Sequence, residues 1–181
     1  MRHPTLILAL LAISTPCYAL RFSIASGVPF IYIQVGHGLM SNYGLLGGPA
    51  GQIDEVTFPI PGSVSIGDGT EITGTPTIPI AFLGYSGGNQ ANYQVTIDSS
   101  GGLVNATSNV IPFSQIRWTT QDGDIPGGQF DGSPNQFLQQ YNFRGNRARG
   151  VVDYLTFIYR NTTVPPAGNY RGRVTYTVTL L

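Results

Sequence analysis

Apolar and polar residues alternate with a period of two through most of this chain, the spacing of strands that keep one face in a core and one in water. The clearest stretch is YRGRVTYTVTLL, Tyr170 to Leu181. There Val174, Tyr176, Val178 and Leu180 fall on one face, and Arg171, Arg173, Thr175, Thr177 and Thr179 on the other. Near the start, Leu20, Phe22 and Ile24 alternate with Arg21, Ser23 and Ala25, and Val28 resumes that register after Ser26. Phe30 to Val35 places Ile31, Ile33 and Val35 together, Ile53 to Ile60 does so for Val56, Phe58 and Ile60, and Tyr93 to Asp98 for Tyr93, Val95 and Ile97. Ile78 to Tyr85 is apolar on both faces apart from its proline, which predicts a deeply placed strand. Val110 to Trp118 reads as a single strand, Phe137, Tyr141 and Phe143 as one face of the next, and Val151 to Arg160 as another.

Turn residues punctuate these runs. Gly67-Asp68-Gly69 predicts a hairpin tip, and Gly87-Gly88-Asn89 and Ser99 to Gly102 predict further turns. Gly36 to Gly51 is a glycine-rich, nearly chargeless stretch, long enough to serve as an interaction surface. No stretch of useful length carries helical periodicity. With 24 glycines, 13 prolines and only 10% charged residues, the expected fold is an all-β sandwich of short strands.

Three segments are expected. Residues 1–19 combine a short polar start (Arg2, His3), the apolar run Leu6 to Ile13 and a small-residue cleavage pattern at Cys17-Tyr18-Ala19, which reads as a secretory signal peptide. Residues 20–29 form an extension set off by Gly27 and Pro29, and residues 30–181 the sandwich domain. Removing the leader takes the chain's single cysteine with it, so no disulfide is expected and stability must come from burial and sheet hydrogen bonds. No apolar run beyond the leader has the length of a transmembrane helix. All the basic residues are arginine, and basic and acidic groups nearly balance, which argues against nucleic acid or an anionic membrane as partner.

Catalytic chemistry finds little footing. His37 stands in the glycine-rich loop with no cysteine or lysine beside it, so no nucleophile and base pair emerges. Asp122, Asp124 and Asp131 are ligand types that calcium accepts, but the spacing is not that of an EF-hand and Asp-Gly pairs are common turn formers. Asp54 and Glu55 are adjacent on a strand and so face opposite ways. Arg144, Arg147 and Arg149 read as a solubilising loop, Trp118 as a core anchor, and Asn105 and Asn161 as glycosylation sequons that matter only in a eukaryotic secretory pathway. No catalytic residue, no metal site and no cofactor is expected, and the protein is not read as an enzyme.

The two ends carry the functional expectation. A final strand at Tyr170 to Leu181 without a partner on one side would leave an apolar groove. The arm from Leu20 to Val28 spans roughly 30 Å when extended, enough to fill it. In these two features, the alternating arm LRFSIASGV and the segment VPPAGNYRGRVTYTVTLL, together with the leader and the strand rhythm between, the chain resembles pilins of the chaperone-usher pathway. Its lack of a disulfide places it with their cysteine-free, divergent branch. The resemblance implies an immunoglobulin-like β-sandwich missing its last strand. It also implies a periplasmic chaperone, an outer-membrane usher and other pilus subunits as partners, and assembly into a cell-surface fimbrium acting in adhesion or biofilm. It makes Leu20, Phe22, Ile24 and Val28 donor-strand side chains, and Val174, Tyr176, Val178 and Leu180 one wall of the acceptor groove. The competing expectation is a self-complete secreted binding module that recognises carbohydrate or calcium through its loops.

Overall fold

A computed structural model of the protein describes residues 29–36, 55–145 and 148–181. Their strands are β1 (Phe30–Val35), β2 (Glu71–Thr73), β3 (Ile78–Tyr85), β4 (Gln90–Asp98), β5 (Leu103–Val104), β6 (Val110–Ile111), β7 (Ile116–Thr120), β8 (Gly128–Gln129), β9 (Gln136–Arg144), β10 (Arg149–Arg160) and β11 (Thr175–Leu180). The protein is all-β, as its alternation predicts. Its one helical element among the described residues is a 3-10 turn at Phe113–Gln115. No described helix is long and apolar enough to cross a membrane.

Two antiparallel sheets form the sandwich. One has the order β1-β3-β10-β7-β8, with β2 also on β10, and the other the order β11-β4-β9. The pair β5-β6 stands apart. The layers meet through alternate residues: Tyr93, Val95 and Ile97 of β4 are essentially sealed from solvent, as are Ile80 and Phe82 of β3 and Leu155 of β10. Each such side chain contributes on the order of 1.5–3 kcal/mol by leaving water. Ile78 to Tyr85 is the deeply placed strand its composition predicts, buried on both faces over most of its length.

Several expectations need correction. Phe137 does not share a face with Tyr141 and Phe143. The β4-β9 register shifts at a bulge, where Val95 pairs with Gln139 and Thr96 with Phe137, so Leu138 turns inward and Phe137 is 57% exposed. A bulge inserts one residue and so reverses the alternation on either side of it. Val110 to Trp118 is not one strand: Pro112 ends β6, and the 3-10 turn intervenes before β7. Ile53 to Ile60 forms no strand among its described residues, only the isolated bridge Thr57 to Thr75, because Pro59 and Pro61 have no N–H to give to a ladder. Ile60 is accordingly 49% exposed. Gly67-Asp68-Gly69 is a turn, with φ of 84° and 80° at its glycines, yet it joins no hairpin. It leads into β2 and packs against Asn161, which accepts from the Gly67 N–H at 3.0 Å.

Candidate functional site: a cleft between two sheet edges

The end of the chain supplies one wall of the candidate site. Strand β11 pairs with β4 along one side, from Thr175 opposite Asp98 to Leu180 opposite Tyr93. The Leu181 N–H donates to the Asn92 carbonyl at 2.8 Å in the same register. Antiparallel ladders alternate bonded and non-bonded pairs, so Thr175, Thr177 and Thr179 also bond to β4. The N–H and C=O groups of Tyr176 and Val178 therefore turn to the far side, where no described strand pairs with them.

Strand β1 supplies the other wall by the same logic. It pairs with β3 from Phe30 opposite Tyr85 to Val35 opposite Ile80, and the Gly36 N–H donates to the Pro79 carbonyl at 2.7 Å in that register. The backbone groups of Phe30, Tyr32 and Gln34 thus go to β3. Those of Ile31, Ile33 and Val35 face away from it, again with no described strand beside them.

Between these edges lies a cleft of about 440 Å³, lined by Ile33, Val35, Arg173, Val174, Thr175 and Tyr176. Its inner surface is apolar and continuous with the core, because Ile31, Ile33, Val174, Tyr176 and Val178 pack against the buried cluster while remaining partly exposed. The Tyr176 hydroxyl is buried and has no hydrogen-bond partner, and burial pushes its pKa well above that of an ordinary tyrosine.

Of the groove residues expected from sequence, Val174 and Tyr176 line the cleft and Val178 packs on the core beyond them. Leu180 is 53% exposed at the strand's end. The opposite wall, Ile33 and Val35, was not expected, although their alternation was plain. Which strand edge lies beside which is a property of topology, not of local pattern. The donor positions Leu20, Phe22, Ile24 and Val28 lie outside the described residues, as do His37, Asp54 and Arg147.

The other candidates disperse. Asp122 and Asp124 are exposed, Asp131 accepts from the Ser133 N–H at 2.7 Å, and no cluster of three metal-ligating groups occurs among the described residues. Trp118 is a core residue, 4% exposed, with its indole N–H on the Pro126 carbonyl at 2.9 Å. Asn105 and Asn161 are both buried. The Asn105 side chain accepts from the N–H groups of Thr107 and Asn109. Asn161 accepts from Gly67 and donates to the Ser65 carbonyl. These sequon side chains are structural in the folded protein.

A hollow of about 620 Å³ along β7 and β8, walled by residues 117–120 and 127–129, has Arg117 as its one charged group, and Arg117 is already engaged by both carboxylate oxygens of Glu71.

Searched against models of protein families, the chain matches none, and no curated protein matches it.

Proposed function

We propose that the protein is a structural subunit of a surface fibre of the chaperone-usher type, which polymerises when the arm Leu20 to Val28 of one copy enters the cleft between β1 and β11 of another. The single observation that carries this reading is the pairing of two unbonded backbone edges across one apolar cleft. Because Cα atoms of β1 and β11 already approach within 8 Å, less than the roughly 9.5 Å that a strand paired on both sides needs, the two edges part to admit it. Its alternate side chains would each gain on the order of 1.5–3 kcal/mol by burial. The alternating arm has the pattern such an insertion requires. Because donor and acceptor are different parts of the molecule, the contact is head-to-tail and propagates into a filament.

In this reading the protein acts by assembly and not by catalysis. It is exported by its leader to the periplasm, where a chaperone covers the cleft until an outer-membrane usher adds the subunit to the growing fimbrium, and the fibre serves adhesion or biofilm.

The test compares the full chain with one lacking residues 20–28, each co-expressed with its chaperone. The deleted chain is expected to fold and to form no polymer. Unchanged polymerisation would count against arm insertion, and a full chain that stays monomeric with or without calcium would support a self-complete binding module.

A further inference from the structure

The outward side of the three-stranded sheet carries a polar, almost chargeless face with one aromatic ring on it. Its strands pair so that Thr179 and Gln140 flank Gln94, and Thr177 and Phe137 flank Thr96. Neighbours within each row stand about 4.8 Å apart, and the two rows about 7 Å. Asn92 and Asn142 form a further row, with their carboxamides hydrogen-bonded to each other. Phe137 is 57% exposed on this face, put there by the bulge that turns Leu138 inward. The charged residues at these paired positions are Asp98 and Arg144, at opposite ends, and both are engaged. The Asp98 carboxylate accepts from the Ser100 N–H at 3.0 Å, and the Arg144 Nε donates to the Asn142 carboxamide oxygen at 2.9 Å. No described residue hydrogen-bonds to the side chains of Gln94, Thr96 or Gln140.

We infer that this face binds a neutral oligosaccharide, with a pyranose ring lying on Phe137 and its hydroxyls paired with Gln94, Thr96 and Gln140. A sugar ring has a C–H face that suits the negative face of an aromatic ring. Its rim of hydroxyls both donates and accepts, as carboxamides and threonine do. Other occupants fit worse. A protein partner needs a fully buried apolar centre, which one ring among amides and hydroxyls does not provide. Nucleic acid or an acidic glycan needs free cations, and the one arginine stands at the margin, bonded to Asn142. The site is independent of strand insertion. Alternation sets Thr177 and Thr179 on the side of β11 opposite Val178, so a strand in the cleft leaves the face uncovered.

The experiment probes the purified full chain with a printed array of neutral, carboxylated and sulfated oligosaccharides. Affinity for the neutral member bound most tightly is then measured by calorimetry for the parent and for Phe137→Ala, Phe137→Tyr, Gln94→Ala and Tyr154→Ala. Phe137 and Gln94 point away from the core, so their variants are expected to keep the parent's fold, checked by thermal unfolding. The parent is expected to bind neutral members of the array. Phe137→Ala should weaken binding about tenfold and Gln94→Ala roughly fivefold. Phe137→Tyr, which keeps a ring, and Tyr154→Ala, which alters β10 in the other sheet, should bind like the parent. Binding to no neutral oligosaccharide, binding to carboxylated or sulfated ones alone, or an affinity unchanged by Phe137→Ala overturns the site and leaves strand insertion standing. A dimer that Phe137→Ala dissociates in gel filtration, with no sugar bound, overturns it in favour of a second copy of the chain.

Discussion

The carboxylate of Asp153, in the middle of β10, accepts a hydrogen bond at 3.1 Å from the backbone N–H of Ile125, 28 residues earlier in the chain. Both residues are sealed from solvent. The same carboxylate also accepts from the N–H groups of Gln121, Asp122 and Tyr154 at 2.8–3.0 Å, so one buried acid gathers the loop that follows β7. Asp153→Ala removes the acceptor that these N–H groups share, leaving that of Ile125 unpaired in a dry site, and is expected to destabilise the fold by roughly 3 kcal/mol, measured by urea unfolding.

The same group makes stability fall in acid. Desolvation alone would raise the Asp153 pKa, but the backbone donors outweigh it and hold the carboxyl below its ordinary value. A carboxylate whose folded pKa is depressed contributes stability that is complete above its unfolded value, about 3.9 for aspartate. That contribution is lost as pH falls through the lower folded value. Denaturant midpoints measured between pH 7 and pH 2 should decline below about pH 4 in the parent, and the part due to Asp153 should be missing from the slope of Asp153→Ala.

The bulge in β9 makes neighbouring residues unequal. Leu138 faces the core and Phe137 faces solvent, although Phe137 is the larger hydrophobe. Leu138→Ala is expected to destabilise by about 2–5 kcal/mol and Phe137→Ser by well under 1 kcal/mol. Equal effects in thermal unfolding would mean that the register shift is misplaced.

Gly84 in β3 lies against the ring of Phe143 in β9, so close that a Cβ added there would overlap the ring. Gly84→Ala should destabilise by roughly 1–3 kcal/mol through overpacking. Phe143→Leu should recover part of that loss in the double variant, a non-additivity readable in a double-mutant cycle.

Strands and their inner faces could be read from the chain where alternation was uninterrupted, as in β4, and in β1 and β11 except at Val35 and Leu180, which are 39% and 53% exposed; β3 could be read from its continuous apolar run. The reading failed where one local event reset the phase: the bulge beside Leu138, the break at Pro112, and Pro59 with Pro61 after Thr57. Asp153 went unnoticed, although a lone charge among Val151, Val152, Tyr154 and Leu155 is itself the mark of a buried, fully bonded acid. Half of the cleft was legible, because Val174 and Tyr176 carry their alternation openly. The wall from Ile33 and Val35 was hidden, since adjacency of β1 and β11 arises only when two sheets close on each other.

In the proposed fibre, the cleft between β1 and β11 receives the arm of another copy. The most direct test of this insertion mixes an isotopically labelled chain carrying Ile24→Cys with an unlabelled chain carrying Val35→Cys, both with Cys17→Ser, under mild oxidation, and identifies cross-linked peptides by mass. Disulfides are expected to join labelled position 24 to unlabelled position 35. If position 24 reaches position 35 only when both cysteines are placed in one chain, the arm closes its own cleft and the fibre reading is contradicted.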